Sequence, residues 1–265
     1  MLGVLLAGGK SKRFGRPKAL ARVKGETFLE RVYKALSIVN EDIVILVSTS
    51  TPGEVVEATR RLDAKLLWDD ESLPCNGPPR GLATLHRELA PRELLLAAVD
   101  YPFLTGEVLR SLVDEAQKRS AEALTPMLYP GYPLVTLGYM QGGALELLTL
   151  ACTEKTPAQT RLTDVYRGSR LTLITGWTLH TSNPKILANV NTPEDLKRTP
   201  QVPTDSYLRI LDGVTYRRAL EEAGLGRREE AARLFRVEAE EHGSRGLTLF
   251  RIHALKDSEA LSEQS

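Results

Sequence analysis

Residues 5–20 read LLAGGKSKRFGRPKAL. An apolar run ends in Gly8 and Gly9, and five cations, Lys10, Lys12, Arg13, Arg16 and Lys18, follow within nine positions. Adjacent glycines after a strand let a phosphate or a base approach the bare backbone, whose N–H groups then serve as donors. The cations suit neutralisation of phosphate charge. The spacing is not that of a P-loop, because five residues separate Gly9 from Gly15 and Arg16 comes next. The dinucleotide fingerprint fails too, since Lys10 stands where its second glycine is required. The competing reading is a tight strand-to-helix turn with solvated lysines. A second chemical candidate is Asp100, directly after the continuous apolar run of RELLLAAVDYPFL. A carboxylate closing a buried strand stands where α/β sheets bind ligands. It is also the hard oxygen ligand that Mg2+ takes together with phosphate oxygens. Its competing reading is a turn or helix-capping aspartate.

Positioning such groups needs a sheet whose strand ends converge. Strand-like and helix-like segments alternate along GVLLA, TFLERVYKALSIV, DIVILVS, PGEVVEATRRL and AKLLW, the sign of βαβ units and a mainly parallel sheet. Thr27 followed by Glu30 has capping-box spacing, and Phe28, Leu29, Val32 and Leu36 then share one helix face. YPLVTLGY reads as a further strand, and LANVNTPEDL as a strand running into a helix capped by Thr192. The expected fold is therefore α/β, a three-layer doubly wound and mainly parallel sheet. Beyond Gln201 the periodicity changes. TYRRALEEAG and RREEAARLFRVEAEEHG read as amphipathic helices and LTLFRIHAL as a strand. The expected division is a domain over residues 1–200 and a mostly helical extension over 201–265.

The order L-A-G-G-x-S-x-R-[FM]-G-x-x-K-A-L resembles the N-terminal signature of nucleotidyltransferases, and among them most the molybdenum cofactor guanylyltransferases. DDESLPCNGPPRGL, VDYPFL and NVNTPEDL resemble three further motifs of that family, and the likeness covers roughly the first three quarters of the chain. It implies transfer of GMP from GTP to the phosphate of molybdopterin cofactor, with release of pyrophosphate and with Mg2+ as cofactor. It implies that Leu6, Ala7, Gly8 and Gly9 line the base and phosphates, and that Lys18 reaches the triphosphate. Asp70 would hold the nucleotide, with Asp69 beside it as the alternative. Asp100 would hold the metal, Lys18 and Arg13 would share in catalysis with it, and Asn189 and Asn191 would face the acceptor. Two positions depart from the pattern: Pro17 and Ser48 replace a common Asp and Asn, and Pro17 is more usual in related cytidylyltransferases. A cytidylyltransferase, or transfer to another phosphorylated acceptor, is thus the alternative enzyme. A non-catalytic nucleotide-binding adaptor is the alternative of another class.

Composition limits the other classes. The chain has 35 Lys plus Arg against 34 Asp plus Glu, which gives no global basicity for nucleic acid. Its apolar runs are too short to span a bilayer and no basic leader precedes LGVLLAGG, so a cytoplasmic protein without membrane attachment is expected. Cys75 and Cys152 read as two thiols without metal-ligand spacing. His86, His180, His242 and His253 are scattered, with no nucleophile elbow nearby. Trp68 and Trp177 read as packing residues. The arginine pairs at 60, 217 and 227 lie among glutamates and read as solvated helix faces. The extension is too small for a comfortable core of its own. It is expected to dock on the main domain or on a second subunit, in a homo-oligomer or against a cofactor-biosynthesis or molybdoenzyme partner.

Overall fold

The apolar runs of the N-terminal half become the middle of one sheet. The structure, a computed structural model, describes residues 1–8, 14–154, 160–203 and 208–263. The parallel strands are β1 (Leu2–Leu6), β4 (Asp42–Val47), β5 (Lys65–Trp68), β6 (Glu93–Ala98), β7 (Ala123–Tyr129) and β10 (Thr172–Gly176). β9 (Leu137–Gln141) lies antiparallel between β6 and β7, and β11 (Leu208–Leu211) lies antiparallel on β10. The order is β11-β10-β7-β9-β6-β1-β4-β5, with β8 (Tyr132–Pro133) also paired to β7. Leu94, Leu95, Leu96 and Ala97 are fully buried, as a strand covered on both faces requires. The fold is α/β, a mainly parallel sheet flanked by helices, with a helical C-terminal region.

The helices cover the sheet through local signals. A two-stranded ribbon, β2 (Arg22–Val23) and β3 (Glu26–Thr27), delivers the chain to α1 (Phe28–Ser37). Glu30 N donates to Thr27 Oγ1 at 3.1 Å, and Thr27 N returns a bond to Glu30 Oε2 at 2.7 Å. Phe28, Leu29, Val32 and Leu36 are buried on the face that this cap sets. The other crossovers carry α2 (Gly53–Thr59), α3 (Pro78–Leu89), α4 (Gly106–Lys118), α5 (Gly142–Glu154) and α6 (Thr163–Gly168). From β1 the chain steps to β4 and β5 on one side. It then crosses to β6 on the other side of β1. The strand order therefore reverses between β1 and β6, where such sheets open a crevice at their carboxyl ends.

Four readings from the sequence are corrected. LTLFRIHAL is not a strand but the start of α9 (Thr248–Ser262), because Leu247, Phe250 and Ala254 are buried at helical spacing. Residues 188–191 form no strand. Val190 N donates to Asp100 O at 2.7 Å instead, so this segment crosses the end of β6 and then enters a 3-10 turn, Pro193–Lys197, capped by Thr192. Cys75 and Cys152 are not separate thiols but a disulfide that ties the segment before α3 to α5. Trp68 is 44% exposed and so packs less than expected, whereas Trp177 is buried and donates Nε1–H to Pro203 O.

The C-terminal helices α7 (Val214–Gly224), α8 (Arg228–Ser244) and α9 are fastened by buried charge. Arg167 of α6 donates Nε and Nη2 to the two carboxylate oxygens of Glu238 at 2.8 and 2.7 Å, and Nη1 to Asp257 Oδ2 at 2.8 Å. Asp164 and Arg161 complete the cluster, and the Arg167 guanidinium lies 4.8 Å from the centre of the Tyr216 ring. Among the described residues no helix is long and apolar enough to cross a membrane.

Candidate active site

Three distant stretches meet where the strand order reverses. Pro17, with φ −55°, leads into a 3-10 turn, Lys18–Leu20, that presents Lys18. Phe14 meets Phe28 edge-on at 5.9 Å and packs with Ala21 and Val190, so the stretch carrying Lys18 is pinned beside residues 189–191. Lys18 Nζ consequently lies 3.6 Å from Asp100 Oδ2 and donates to Asn191 Oδ1 at 3.2 Å. The backbone of Asn191 is itself held, because Asp195 Oδ2 accepts from the N–H groups of both Asn191 and Thr192 at 2.9 and 2.8 Å. Burial pushes the Asp100 carboxyl above its usual range, against the pull of Lys18. Asp100 Oδ1 is buried and meets no hydrogen-bond partner among the described residues. An unsatisfied carboxylate oxygen of this kind asks for a donor or a cation.

A small cleft of about 140 Å3 opens on the β4 side of β1. Leu6, Leu46, Val47 and Pro78 form its apolar walls, and Gly8, Ser48, Ser50, Asp69, Gly77 and Gly81 complete the lining. A Cβ on Gly81 would stand 3.0 Å from Asp69 Oδ1 and 3.3 Å from Leu46 Cδ1, so the absent side chain leaves both side chains their room. Asp69 N donates to Val47 O at 2.9 Å, which prolongs the β4–β5 pairing by one residue and fixes where the carboxyl emerges.

The sequence-derived candidates are distributed as follows. Leu6 and Gly8 line the cleft, and Lys18, Asp100 and Asn191 form the charged group beside it. Ala7 is buried behind them and gives its N–H to Leu46 O at 3.1 Å. Asp70 is engaged elsewhere: Oδ1 accepts from Ser72 N at 2.8 Å, and Oδ2 pairs with Arg87. Its neighbour Asp69 is the acid that faces the cleft. Burial pushes the Asp69 carboxyl up to about 6, with Arg80 pulling it down and Glu71 pushing it up. Asn189 lies apart from Asn191, in a second cleft with Leu128, Tyr129 and Arg198. Gly9 and Arg13, with Lys10 and Lys12, lie outside the described residues. Sequence reasoning gave no role to Ser50 or Val47, and their only signal was their place at the end of the second long strand.

The family model described as a MobA-like NTP transferase domain matches residues 3–167. Molybdopterin-guanine dinucleotide biosynthesis protein A from Archaeoglobus fulgidus is similar over 75% of this chain and 96% of its own, at 25% identity and a TM-score of 0.59. A nucleotidyl transferase from Methanothermobacter is similar over 74% of this chain and 94% of its own, at 21% identity and a TM-score of 0.53. A protein of Aquifex aeolicus shares the fold at 20% identity and a TM-score of 0.54, over 72% of this chain and 93% of its own. With a family match over residues 3–167, the chain belongs to the MobA-like NTP transferase domain family.

Proposed function

We propose that this nucleotidyltransferase moves GMP from GTP to the terminal phosphate of molybdopterin cofactor and releases pyrophosphate. The observation that carries the reading is the meeting, where the strand order reverses, of Lys18, Asn191 and Asp100, whose Oδ1 has no hydrogen-bond partner among the described residues. An oxygen of the acceptor phosphate attacks the α-phosphorus of GTP, a new P–O bond forms, and the bond to the bridging oxygen of the β-phosphate breaks. No covalent enzyme intermediate is needed, so the protein's work is alignment and charge compensation. The Lys18 ammonium approaches the triphosphate and the Gly8 backbone offers close approach, and the roles proposed for Gly9 and Arg13 fall outside the described residues. Asn191, held by Asp195, sets the position of Lys18 from the acceptor side, and Asn189 faces the acceptor from the neighbouring cleft.

The residues fit a divalent cation that arrives with the nucleotide. Among the described residues no group of three or more His, Cys, Asp or Glu forms a ready-made metal cage. Mg2+ is held by one or two carboxylates plus substrate phosphates and water, which is what Asp100 Oδ1 can join. Bound there, the ion would offset the charge that develops on the phosphates. A division into a transfer domain over 1–200 and an extension over 201–265 that stabilises it belongs to the same proposal. So does a cytoplasmic location.

Pyrophosphate release from GTP, Mg2+ and molybdopterin cofactor tests the reading. Release that needs both substrates is the expected result. Equal or better use of CTP would favour the cytidylyltransferase that Pro17 suggests. Binding of GTP without any release would leave a nucleotide-binding adaptor.

A further inference from the structure

The C-terminal helices touch a second cleft through one hairpin. β7 and β8 are joined by Pro130 and Gly131, and Gly131 has φ +83°, the left-handed position that such a turn requires after its proline. Gly131 O accepts from Leu249 N at 2.9 Å. That N–H lies in the first turn of α9, where no helical acceptor exists, so the hairpin supplies its partner. Leu247 and Phe250 on either side are buried in the main core, which fixes the start of α9 ahead of the Arg167 cluster further along it. The seat is close. A Cβ on Gly131 would stand 2.6 Å from Thr248 Oγ1 and 3.1 Å from Gly246 O.

The hairpin leads into the cleft that holds Asn189, whose volume of about 450 Å3 lies within the roughly 300–1,000 Å3 of small-ligand sites. Leu128 is buried, and Tyr129, the next residue of β7, turns outward and is 45% exposed. In the same cleft the Asn189 amide and the Arg198 guanidinium make no hydrogen bond and no ion pair with any described residue. Asp195, the carboxylate near Arg198, is already spent on the N–H groups of Asn191 and Thr192. The cleft therefore offers an open ring, an amide and a cation, close along the chain to the Asn191 that accepts from Lys18.

We propose that Tyr129 lays its ring against the flat heterocycle of the acceptor, and that α9 positions it for that contact through Gly131. The inference rests on the reading that the acceptor is a phosphorylated heterocycle such as molybdopterin. A tyrosine gives a large, rigid face at small entropic cost, and a planar nitrogen heterocycle stacks on it. Beside that face, the Asn189 amide sets a donor next to an acceptor, the complement of the amide-like edge of such a ring. Arg198 answers negative charge on the acceptor. Held at its ring, the acceptor can extend its phosphate along residues 189–191 toward Lys18 and Asp100. In-line transfer needs that alignment from the protein. Tyr132, opposite Tyr129 on β8, is equally exposed but lines no part of this cleft, so the two tyrosines of one hairpin separate the contact from the fold.

The test uses the full chain with GTP, Mg2+ and molybdopterin cofactor. Tyr129→Ala should raise the KM for the cofactor about tenfold or more, the scale of one lost stacking contact, and leave the KM for GTP near that of the wild type. Tyr129→Phe keeps the ring and should restore the wild-type KM. Tyr132→Ala should leave it unchanged. The role of α9 is read in the wild type, by amide exchange at Leu249. Opening that breaks its bond to Gly131 also releases Tyr129, so cofactor at about ten times its Kd should slow this exchange about tenfold, and GTP should not. A cofactor KM unchanged in Tyr129→Ala, an equal rise in the KM for GTP, or a Phe variant as weak as the Ala variant would overturn the stacking contact. Leu249 exchange indifferent to the cofactor would overturn the positioning by α9. Each of these results leaves the proposed function standing, whereas a wild type that transfers nothing to the cofactor overturns both.

Discussion

Asp100 and Asp69 are both carboxylates raised above their usual range by burial, yet they imply opposite experiments. Asp100→Asn is nearly isosteric and should leave the melting temperature close to that of the wild type. It should lower turnover by at least about 100-fold, the scale of one lost charge-stabilising group. Lys18→Ala should weaken GTP by about tenfold, since a charge-assisted contact to phosphate is lost. Asp69→Asn should instead stabilise the empty protein. Its folded proton affinity is about 6 against an unfolded value of 3.8, so the folded state binds the proton more tightly and loses stability as pH rises from about 4 to 6. The variant escapes that loss. Its advantage in a denaturant titration should be absent at pH 4, grow through pH 6 and level off at about 1–2 kcal/mol, after discounting for the solvent that reaches this half-buried group. Of these groups, Asp100 was legible in the sequence because a continuous apolar run marks a buried strand and its end. Choosing between Asp69 and Asp70 was not, since successive residues at a strand end face opposite sides and the last ladder bond, Asp69 to Val47, is set by pairing.

At the scale of elements, local chemistry and tertiary packing divide the same way. The Thr27–Glu30 box and the buried face of α1 follow from residues within one turn of each other and were readable directly. The start of α9 was not, because the apolar spacing of LTLFRIHAL suits either element and contact with α8 decides it, with Phe250 edge-on to His242 at 5.5 Å. The Cys75–Cys152 bond spans 77 residues and no spacing rule announces it. That bond anchors the segment between β5 and α3, which carries Asp69 and the wall of the cleft. Replacing both cysteines by alanine should cost about 4–5 kcal/mol of stability, the loop-entropy scale for a loop of this length. The accompanying loss of GTP affinity, read by titration calorimetry, should exceed that of pyrophosphate alone, because Asp69 and its cleft wall lie on the tethered segment and Lys18 does not.

The whole molecule is held across its C-terminal third by the Arg167 cluster, where one guanidinium answers Glu238, Asp257 and Asp164 on three different helices. Arg167→Ala leaves buried carboxylates without their partner, and a loss of about 3–5 kcal/mol in denaturant unfolding is expected. Turnover per folded molecule should hold, because the cluster lies apart from Lys18 and Asp100 in the packing of α6 on α8 and α9. No sequence pattern pairs residue 167 with 238 and 257, so this fastening could only be seen in the fold. The reaction proposed for Lys18 and Asp100 is transfer of a nucleoside monophosphate to a phosphorylated acceptor. The most direct measurement follows label from the α-phosphate of GTP in the presence of molybdopterin cofactor and Mg2+. Label is expected in a cofactor dinucleotide, equimolar with released pyrophosphate and lost in Asp100→Asn. Label that stays in GTP, or that appears as free GMP or GDP with the cofactor unchanged, would contradict it.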